Sequence, residues 1–250
     1  MMSAVIAIRS AGELAEVPDP AWPEWLELVR LAPVPAVVLL VARPAGLEVL
    51  FRLQVSARSM MGALALNSGG MLADHGWVRL LGGGSEALPD LAAANGLGPP
   101  GISGPPPWLT VGFDVLGGRF AVDGGGLPGE PGEVCYWGPD TLAWTPLGGG
   151  YGQFARMVLG GGMAGFYQDL RWPGWQDEVA ALGPGQGISV YPFLFTAQSR
   201  PVARASRRPV PFAELLGVHA EAERQASRLP PGSPIRITIS GNPAGEDSRG

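Results

Sequence analysis

The amino-acid sequence predicts an α+β protein in which a mostly antiparallel sheet, built from meanders and hairpins, is flanked by short helices. Apolar residues recur at helical spacing near the N-terminus and after residue 150, which is typical of amphipathic helices. Between these regions apolar and polar residues alternate in short runs that end at turn residues, which is typical of strands. The 39 glycines and 26 prolines also favour many short elements over long helices.

The composition excludes several classes of chemistry. All 17 basic residues are arginines, so no lysine is present for a pyridoxal-phosphate Schiff base or for a nucleotide-binding P-loop. Cys135 is the one cysteine in the chain, which excludes an intramolecular disulfide and a cysteine-based zinc site. The chain has two histidines besides, and we expect neither a metal ion nor another cofactor.

Charge and hydropathy predict a cytoplasmic protein. The first residues lack the basic, apolar and small-residue regions of a signal peptide. The most apolar run, residues 31–42, is too short to span a bilayer, so we expect no membrane attachment. The net charge of −5 and the lack of a basic, aromatic-rich pattern predict that the chain binds no nucleic acid.

The N-terminal third predicts helices followed by an antiparallel meander. Ser10 and Glu13 have the spacing of a capping box, and Asp19-Pro20 predicts the start of a second helix with Trp22 and Trp25 on its apolar stripe. The apolar run 36–42 predicts a buried strand, and the alternation over 48–55 predicts a half-buried one. Further strands are predicted at residues 62–66, 70–72 and 77–81, with turns at 67–69 and 74–76.

A Gly/Pro-rich stretch then interrupts the pattern. One brief helix is predicted at 88–94, and Asn95-Gly96 is typical of its end. We predict a single α+β domain over residues 1–229 that contains a Gly/Pro-rich loop at 96–107, although the same stretch also fits a domain boundary. Residues 230–250 are predicted to be an extended or disordered tail.

The centre of the predicted sheet is a hairpin closed by the two-residue Gly-Gly loop 117–118. This loop length places Asp114 opposite Ala121. Asp114, Arg119 and Asp123 then share one face of the sheet, while the apolar residues of both strands share the core face.

The remaining elements follow from local patterns. After the hairpin we predict strands at 133–137 and 142–144, helices at 151–159, 163–170 and 175–182, a strand at 188–195, an arginine-rich linker at 200–208, a last helix at 212–229, and a strand or extended segment at 235–240. His219 falls on the inner face of the last helix, where a core histidine is the simplest interpretation.

Asp114 and Asp123 form the best carboxylate pair for general acid–base chemistry. Diagonal neighbours have Cβ atoms roughly 5.5–7.5 Å apart, a separation compatible with a glycosidase pair. Arg119 beside Asp114 argues against that use, because a neighbouring cation lowers the pKa of a carboxyl group. The pattern favours an Asp114–Arg119 ion pair and a turn cap at Asp123, and we assign no catalytic residue.

Six phrases between residues 58 and 195 resemble a bacterial family of uncharacterised proteins, the domain-of-unknown-function family 2625. They are RSMMGALALNSGGMLADHGWVRLLGGG, FDVLGGRFAVDGGG, VCYWGPDTLAW, GYGQFARMVL, FYQDLRWPGW and GISVYPFLF. The phrases occur in the order of the family. This resemblance implies no activity.

A looser likeness links the central region to the SUKH superfamily. The chain has Leu-Pro-Asp-Leu before Asn95-Gly96, an Asp-x-x-Gly-Gly hairpin, a Val-Cys-Tyr-Trp strand and a Tyr-Gly-Gln-Phe helix, which together look like that superfamily. The resemblance implies an α+β fold that acts by protein–protein interaction, since the superfamily contains many bacterial immunity proteins that neutralise toxins. The insertion at 96–107 and the C-terminal extension depart from the pattern.

We therefore predict a non-catalytic protein-binding module of immunity or antitoxin type, whose partner is another protein such as a bacterial toxin. The predicted binding surface is the exposed sheet face with its nearby loops, formed by Asp114, Arg119, Asp123, Glu130, Glu133 and Trp137. Two alternatives stay open. One is a hydrolase-like enzyme that uses Asp114 and Asp123, and the other is a structural subunit that self-associates through its tryptophans.

Overall fold

The computed structural model describes residues 7–86, 88–102, 104–183 and 185–228, and it confirms the α+β class. Within these residues a seven-stranded antiparallel sheet is ordered as the strands occur in the chain, and a separate two-stranded sheet follows. The strands are β1 (Ala36–Leu39), β2 (Gly70–Ala73), β3 (Val78–Leu81), β4 (Trp108–Asp114), β5 (Arg119–Asp123), β6 (Glu133–Gly138), β7 (Ala143–Gly150), β8 (Gln186–Tyr191) and β9 (Ser206–Pro211).

The helices are short, and all except the buried α4 are amphipathic, with apolar residues against the sheet or against one another. They are α1 (Ala11–Ala15), α2 (Trp22–Leu31), α3 (Arg43–Leu53), α4 (Met60–Asn67), α5 (Tyr151–Leu159), α6 (Met163–Phe166), α7 (Trp175–Ala180) and α8 (Phe212–Ala226). The capping box predicted for α1 is confirmed, with Ser10 Oγ accepting the Glu13 N–H and Glu13 accepting the Ser10 N–H.

Two segments predicted as strands, 48–55 and 62–66, are helical, so those predictions are wrong. In α3 the residues Gly46, Val49, Leu50 and Leu53 are buried or packed on the core, which is the helical i, i+3, i+4, i+7 period. Over so short a run, the alternation of residues 48–55 fits a strand as well as it fits a helix. The proline in the first turn of α3 favours the helix.

Helix α4 was missed because it is buried all round. Five consecutive residues, 62–66, are buried, so no amphipathic period is visible in the sequence. Its backbone packs directly on α3, since a Cβ atom on Gly46 would lie 2.5 Å from the carbonyl oxygen of Leu66. Tertiary packing therefore stabilises α4 in a segment whose residues alone do not distinguish helix from strand.

Several boundaries also differ from the predictions. Helix α2 begins after Ala21, with Pro23 in its first turn, and does not start at Asp19-Pro20. The predicted helix at 88–94 is reduced to a 3₁₀ turn at Ala93–Asn95 that ends at Gly96 with φ of 62°. Strand β1 is an edge strand and is not buried.

The C-terminal region is more ordered than a linker. The arginine-rich stretch 200–208 contributes part of β9, which pairs with β8, so the linker prediction is wrong. The predicted strand at 235–240 and the predicted tail lie outside the described residues. The single domain over 1–229 and the loop at 96–107 stay predictions.

The predicted register of the central hairpin is wrong. Phe113 lies opposite Arg119, and a β-bulge between Thr110 and Gly112 shifts the pairs that follow. The loop spans 114–118, because the Asp114 carboxylate accepts the N–H groups of Leu116 and Gly118 at 2.9 and 2.8 Å. A carboxylate that organises its own turn replaces the predicted two-residue loop.

The two faces of the large sheet are covered by different elements. On the inner face, α5 packs on the sheet through Phe154, whose ring centroid is 4.7 Å from that of Phe120. On the outer face, α8 packs through Phe212, which lies 5.3 Å from Phe113. The outer face, where Arg119 and Trp137 lie opposite each other, was predicted to be exposed.

Candidate functional site

Asp114 is fully buried at the inner face and is not part of an exposed surface. Its Oδ2 accepts hydrogen bonds from the hydroxyl groups of Tyr136 at 2.7 Å and Tyr167 at 2.9 Å, while Oδ1 accepts the two backbone N–H groups of the hairpin loop. A Cβ atom on Gly118 would collide with both Asp114 Oδ2 and the Tyr136 hydroxyl, so the cluster is packed without free space.

The electrostatics of this cluster follow from its burial. Burial raises the pKa of the Asp114 carboxyl, although the four hydrogen bonds that it accepts favour the ionised form and act against this. Burial and the neighbouring carboxylate raise the pKa of Tyr136 and of Tyr167 well above the usual value. Asp114 has no exposed surface and four donors, so the arrangement stabilises the hairpin and offers a substrate no access.

Asp123 caps the loop after β5, as the sequence predicts. Its Oδ1 accepts the backbone N–H groups of Gly125, Gly126 and Leu127 at 2.7, 2.9 and 3.0 Å. Burial acts to raise the pKa of Asp123, but these three hydrogen bonds outweigh it and lower the pKa. Because Asp123 occupies an outer-face position and Asp114 contacts the inner face, the structure does not bring the two carboxylates together.

Arg119 pairs with helix α8 and not with Asp114, so the predicted ion pair is wrong. Its guanidinium donates to Glu223 Oε2 at 2.7 Å. The same guanidinium lies over the indole of Trp137 at 4.3 Å and over that of Trp144 at 5.3 Å. Trp137 is fully buried beneath α8 and contacts His219 at 5.7 Å, so it is not exposed as predicted.

Trp108 and Trp144 form an aromatic pair that stays partly exposed on the outer face. Their strands, β4 and β7, are three strand spacings apart, about 14 Å, yet the ring centroids are only 6.3 Å apart. Both side chains must therefore reach across β5 and β6, where the small residues Ala121 and Cys135 leave room and are themselves buried. Trp108 remains 38% exposed.

Glu133 and Glu130 form an acidic rim beside this pair. Glu133 accepts the N–H of Gly148 at 2.6 Å and that of Glu130 at 3.0 Å, which holds the two neighbouring loops together. Glu130 is exposed and Glu133 half-buried. Of the six residues predicted to bind a partner, Arg119, Glu130 and Glu133 retain exposed surface, whereas Asp114, Asp123 and Trp137 do not.

We call Trp108, Trp144, Arg119, Glu130 and Glu133 the outer-face platform. Trp108 and Trp144 were not predicted as site residues, although the sequence contains a signal for them. Trp144 lies opposite Trp137, and Trp108 lies opposite Asp123, so a correct register assigns both to the face of Arg119. That assignment was not made, because the predicted hairpin did not extend back to Trp108 and the predicted strand 142–144 was given no pairing partner.

The two histidines, Asp74 and Cys135 have structural roles. His75 lies in a turn with φ of 60°, and its ring contacts Trp175 at 5.5 Å, while Asp74 pairs with Arg171. His219 is buried, as predicted, and burial lowers its pKa to about 4. Cys135 is buried, and burial raises the pKa of its thiol. Among the described residues, no three potential His, Cys, Asp or Glu ligands come together as a metal site.

None of the described helices combines the length and apolar character that a crossing of the bilayer requires.

Comparison with known proteins identifies relatives that share most of the chain. The family described as "Protein of unknown function DUF2625" matches residues 11–215. "Putative uncharacterized protein YbfG" of Escherichia coli K12 is 35% identical over 190 residues, which are 75% of this chain and 86% of that protein. An "Uncharacterized protein" of Haemophilus influenzae is 37% identical over 163 residues, 64% of this chain and 70% of that protein. No solved structure matches. The SUKH resemblance stays a prediction.

Proposed function

The chain belongs to the DUF2625 family, and we propose that it is a non-catalytic module that binds another protein, in the manner of an immunity or antitoxin protein. The observation that carries the proposal is the partly exposed pair Trp108–Trp144, held on the sheet face beside charged groups. Exposed apolar surface with a polar rim is typical of interaction sites, and tryptophan is enriched among the residues that dominate binding energy.

The charges around the platform favour a basic segment of the partner protein. The charge of Arg119 is neutralised by Glu223, whereas Glu130 is exposed and lies beside Glu133. An arginine or lysine of the partner, next to an apolar side chain, fits the tryptophan pair and the two glutamates. A cation binds the face of an indole ring and also pairs with a carboxylate. The net charge of −5 on this chain attracts such a partner over a longer range.

The geometry favours binding over the hydrolase alternative. General acid–base catalysis by two carboxylates requires that both carboxylates flank the same scissile bond of the substrate. Asp114 is buried at the inner face with four donors, and Asp123 is held by three backbone N–H groups at the other face. No arrangement of the described residues favours the hydrolase alternative.

A binding experiment with a matched control tests the proposal. A stoichiometric protein captured from a native host by the wild-type chain is purified, and its dissociation constant is measured by calorimetry. The Trp108→Ser/Trp144→Ser double variant is expected to bind at least about tenfold more weakly, because truncating two hot-spot side chains costs more than about 1.4 kcal/mol. Tyr191→Ser is the control, since Tyr191 is exposed but lies in the two-stranded sheet.

Two results would overturn the proposal. One is the absence of any stoichiometric protein partner, and the other is wild-type affinity in the double variant while its circular dichroism shows an intact fold.

Replacing Glu130 and Glu133 by glutamine is expected to reduce the dependence of affinity on salt, since the electrostatic part of the interaction is screened.

A further inference from the structure

The large sheet has one edge strand, β1, that contains no charged or proline residue of its own to protect it against pairing, although it is only four residues long and follows Pro35. β1 is at the edge of the sheet, and residues 36–42 contain no charge, glycine or proline. Natural proteins protect an exposed edge with charged residues, proline, bulges or a covering element. Lysine, the common protecting residue, is absent from the whole chain.

Exposed apolar side chains are concentrated at this edge. Val37 (56% exposed) lies in β1 and Leu40 (92% exposed) directly follows it, and both are among the most exposed large hydrophobic residues that the structure describes. Leu31, which is 60% exposed, ends the preceding helix α2. Single exposed apolar residues are ordinary, but Val37 and Leu40 adjoin an edge whose backbone is open to pairing, which favours a surface that a partner covers.

The backbone of β1 has groups that point away from the sheet. Pro35 accepts a hydrogen bond from the Asp74 N–H, and Leu39 accepts one from the Gly69 N–H, so the odd-numbered residues face β2. In an antiparallel ladder successive residues alternate sides, so the N–H and C=O groups of Ala36 and Val38 point outward. The Leu40 carbonyl lies against Gly69, where the ladder ends.

The opposite edge of the sheet differs in each respect. β7 contains Pro146, which cannot donate a backbone hydrogen bond, and three glycines at 148–150. The pairing of β7 with β6 is also irregular between Glu133 and Cys135. These features weaken β7 as a template for a further strand, so the two edges are not equivalent.

We propose that β1 pairs with β1 of a second copy of this chain, antiparallel about a twofold axis at Val37. Ala36 and Val38 are placed symmetrically about Val37, so this register joins Ala36 of each copy to Val38 of the other by two hydrogen bonds per pair. Val37 then packs on Val37 of the second copy as a pair that is not hydrogen-bonded. The two sheets become continuous.

A second copy fits this edge better than a foreign strand does. The same short apolar run serves both sides of a twofold interface, and residues 36–42 carry no charge that would repel a copy or select a charged partner. The edge strand β1 lies at the other end of the sheet from β7 and three strands away from β4, which carries the nearest platform residue, Trp108. The pairing therefore leaves the platform exposed and does not depend on the proposed binding function.

Sedimentation at micromolar concentration tests the association. The wild type is expected to have twice the 26.0 kDa mass of one chain. Val37→Lys brings two positive charges together at the axis, and Val38→Pro removes an outward donor, so each variant is expected to sediment as a single chain. Tyr191→Lys, at an exposed site away from β1, is the control and is expected to remain a dimer. A wild-type monomer, or dimers that persist in both β1 variants, would overturn the proposal.

Disulfide cross-linking tests the register separately. Cα atoms of a non-hydrogen-bonded antiparallel pair are about 4.5 Å apart, within the range that a disulfide spans. Val37→Cys is therefore expected to give a reducible dimer in high yield under mild oxidation. Leu40→Cys is more exposed but lies six positions from its own copy in this register, so it is expected to give little. Equal or greater yield from Leu40→Cys would indicate random collision and refute the register. The native Cys135 is buried and does not compete.

Discussion

The two faces of the large sheet hold their polar groups in opposite ways. On the inner face, Asp114 is fully buried and accepts four hydrogen bonds, two of them from Tyr136 and Tyr167. On the outer face, Arg119 and Glu223 form an ion pair that keeps a quarter to a third of each side chain exposed. The buried Asp114 therefore specifies the fold, whereas the Arg119–Glu223 pair leaves charged groups and part of the indole surface exposed to solvent.

The difference shows where function is to be sought in this protein. A buried polar cluster with every bond made is costly to disturb and inaccessible to a ligand. A half-exposed ion pair contributes little to stability and is free to contact another molecule. Three experiments sharpen this comparison, because each face makes its own prediction for the free energy of unfolding.

The largest effect is expected at Asp114. Asp114→Ala leaves two tyrosine hydroxyls and two backbone N–H groups without their acceptor, and we expect the free energy of unfolding to fall by roughly 4 kcal/mol. Urea denaturation measures this loss. Asp140→Ala is the control, because Asp140 pairs with Arg200 near the surface and is expected to cost less than about 1 kcal/mol. Similar losses in both variants would contradict the distinction between the faces.

The next effect concerns His219, the buried histidine of α8. Burial lowers its pKa to about 4, with the charge of Arg119 acting in the same direction and the nearby backbone of Gly117 acting against them. The folded histidine is then neutral at pH values where the unfolded one is protonated. The contribution of the neutral His219 to the free energy of unfolding is complete above pH 6.5 and is lost as the pH falls toward 4. The loss is about 1.4 kcal/mol per pH unit and roughly 3 kcal/mol in all.

Unfolding measured between pH 7 and pH 4 checks this sign. The His219→Gln variant is expected to lose roughly 3 kcal/mol less than the wild type over that interval, since the carboxyl groups titrate in both proteins. Parallel pH profiles of the two proteins would show that His219 does not titrate in the way its burial indicates.

The smallest effect is expected for the Arg119–Glu223 pair. In a double-mutant cycle with Arg119→Ala and Glu223→Ala, the coupling is expected to be below about 1 kcal/mol and to shrink in 1 M salt. Arg119→Ala alone is expected to cost about 1 kcal/mol more than Glu223→Ala, because it also removes the contacts with Trp137 and Trp144. A salt-independent coupling of several kcal/mol would make the outer face as structural as the inner one.

Local sequence patterns predicted part of this molecule well. Alternation in β5 and β6 correctly separated Phe120 and Val122 from Arg119, and the spacing in 151–159 correctly predicted α5. The capping box fixed the start of α1. Each of these features depends on residues that are close in the chain, within one or two helical turns or a few positions of a strand. The period of the backbone alone therefore determines them.

Other features were not accessible to local patterns. Helix α4 has no visible period because all its faces are buried, and the bulge in β4 shifts the register by a residue that no turn signal announces. The prediction of the candidate site was affected most, since the longer hairpin loop changed the predicted neighbours of Asp114, and neither Trp108 nor Trp144 had been assigned a pairing partner.

The sequence by itself determined the α+β class, the family and the chemistries that a chain without lysine cannot perform. Only the tertiary structure decided which groups are exposed. The contact of Arg119 with Glu223 joins residues 104 positions apart, and that of Asp114 with Tyr167 joins residues 53 apart. Burial of a polar group depends on such distant partners, because the periods of helix and strand fix the direction of a side chain but not what covers it.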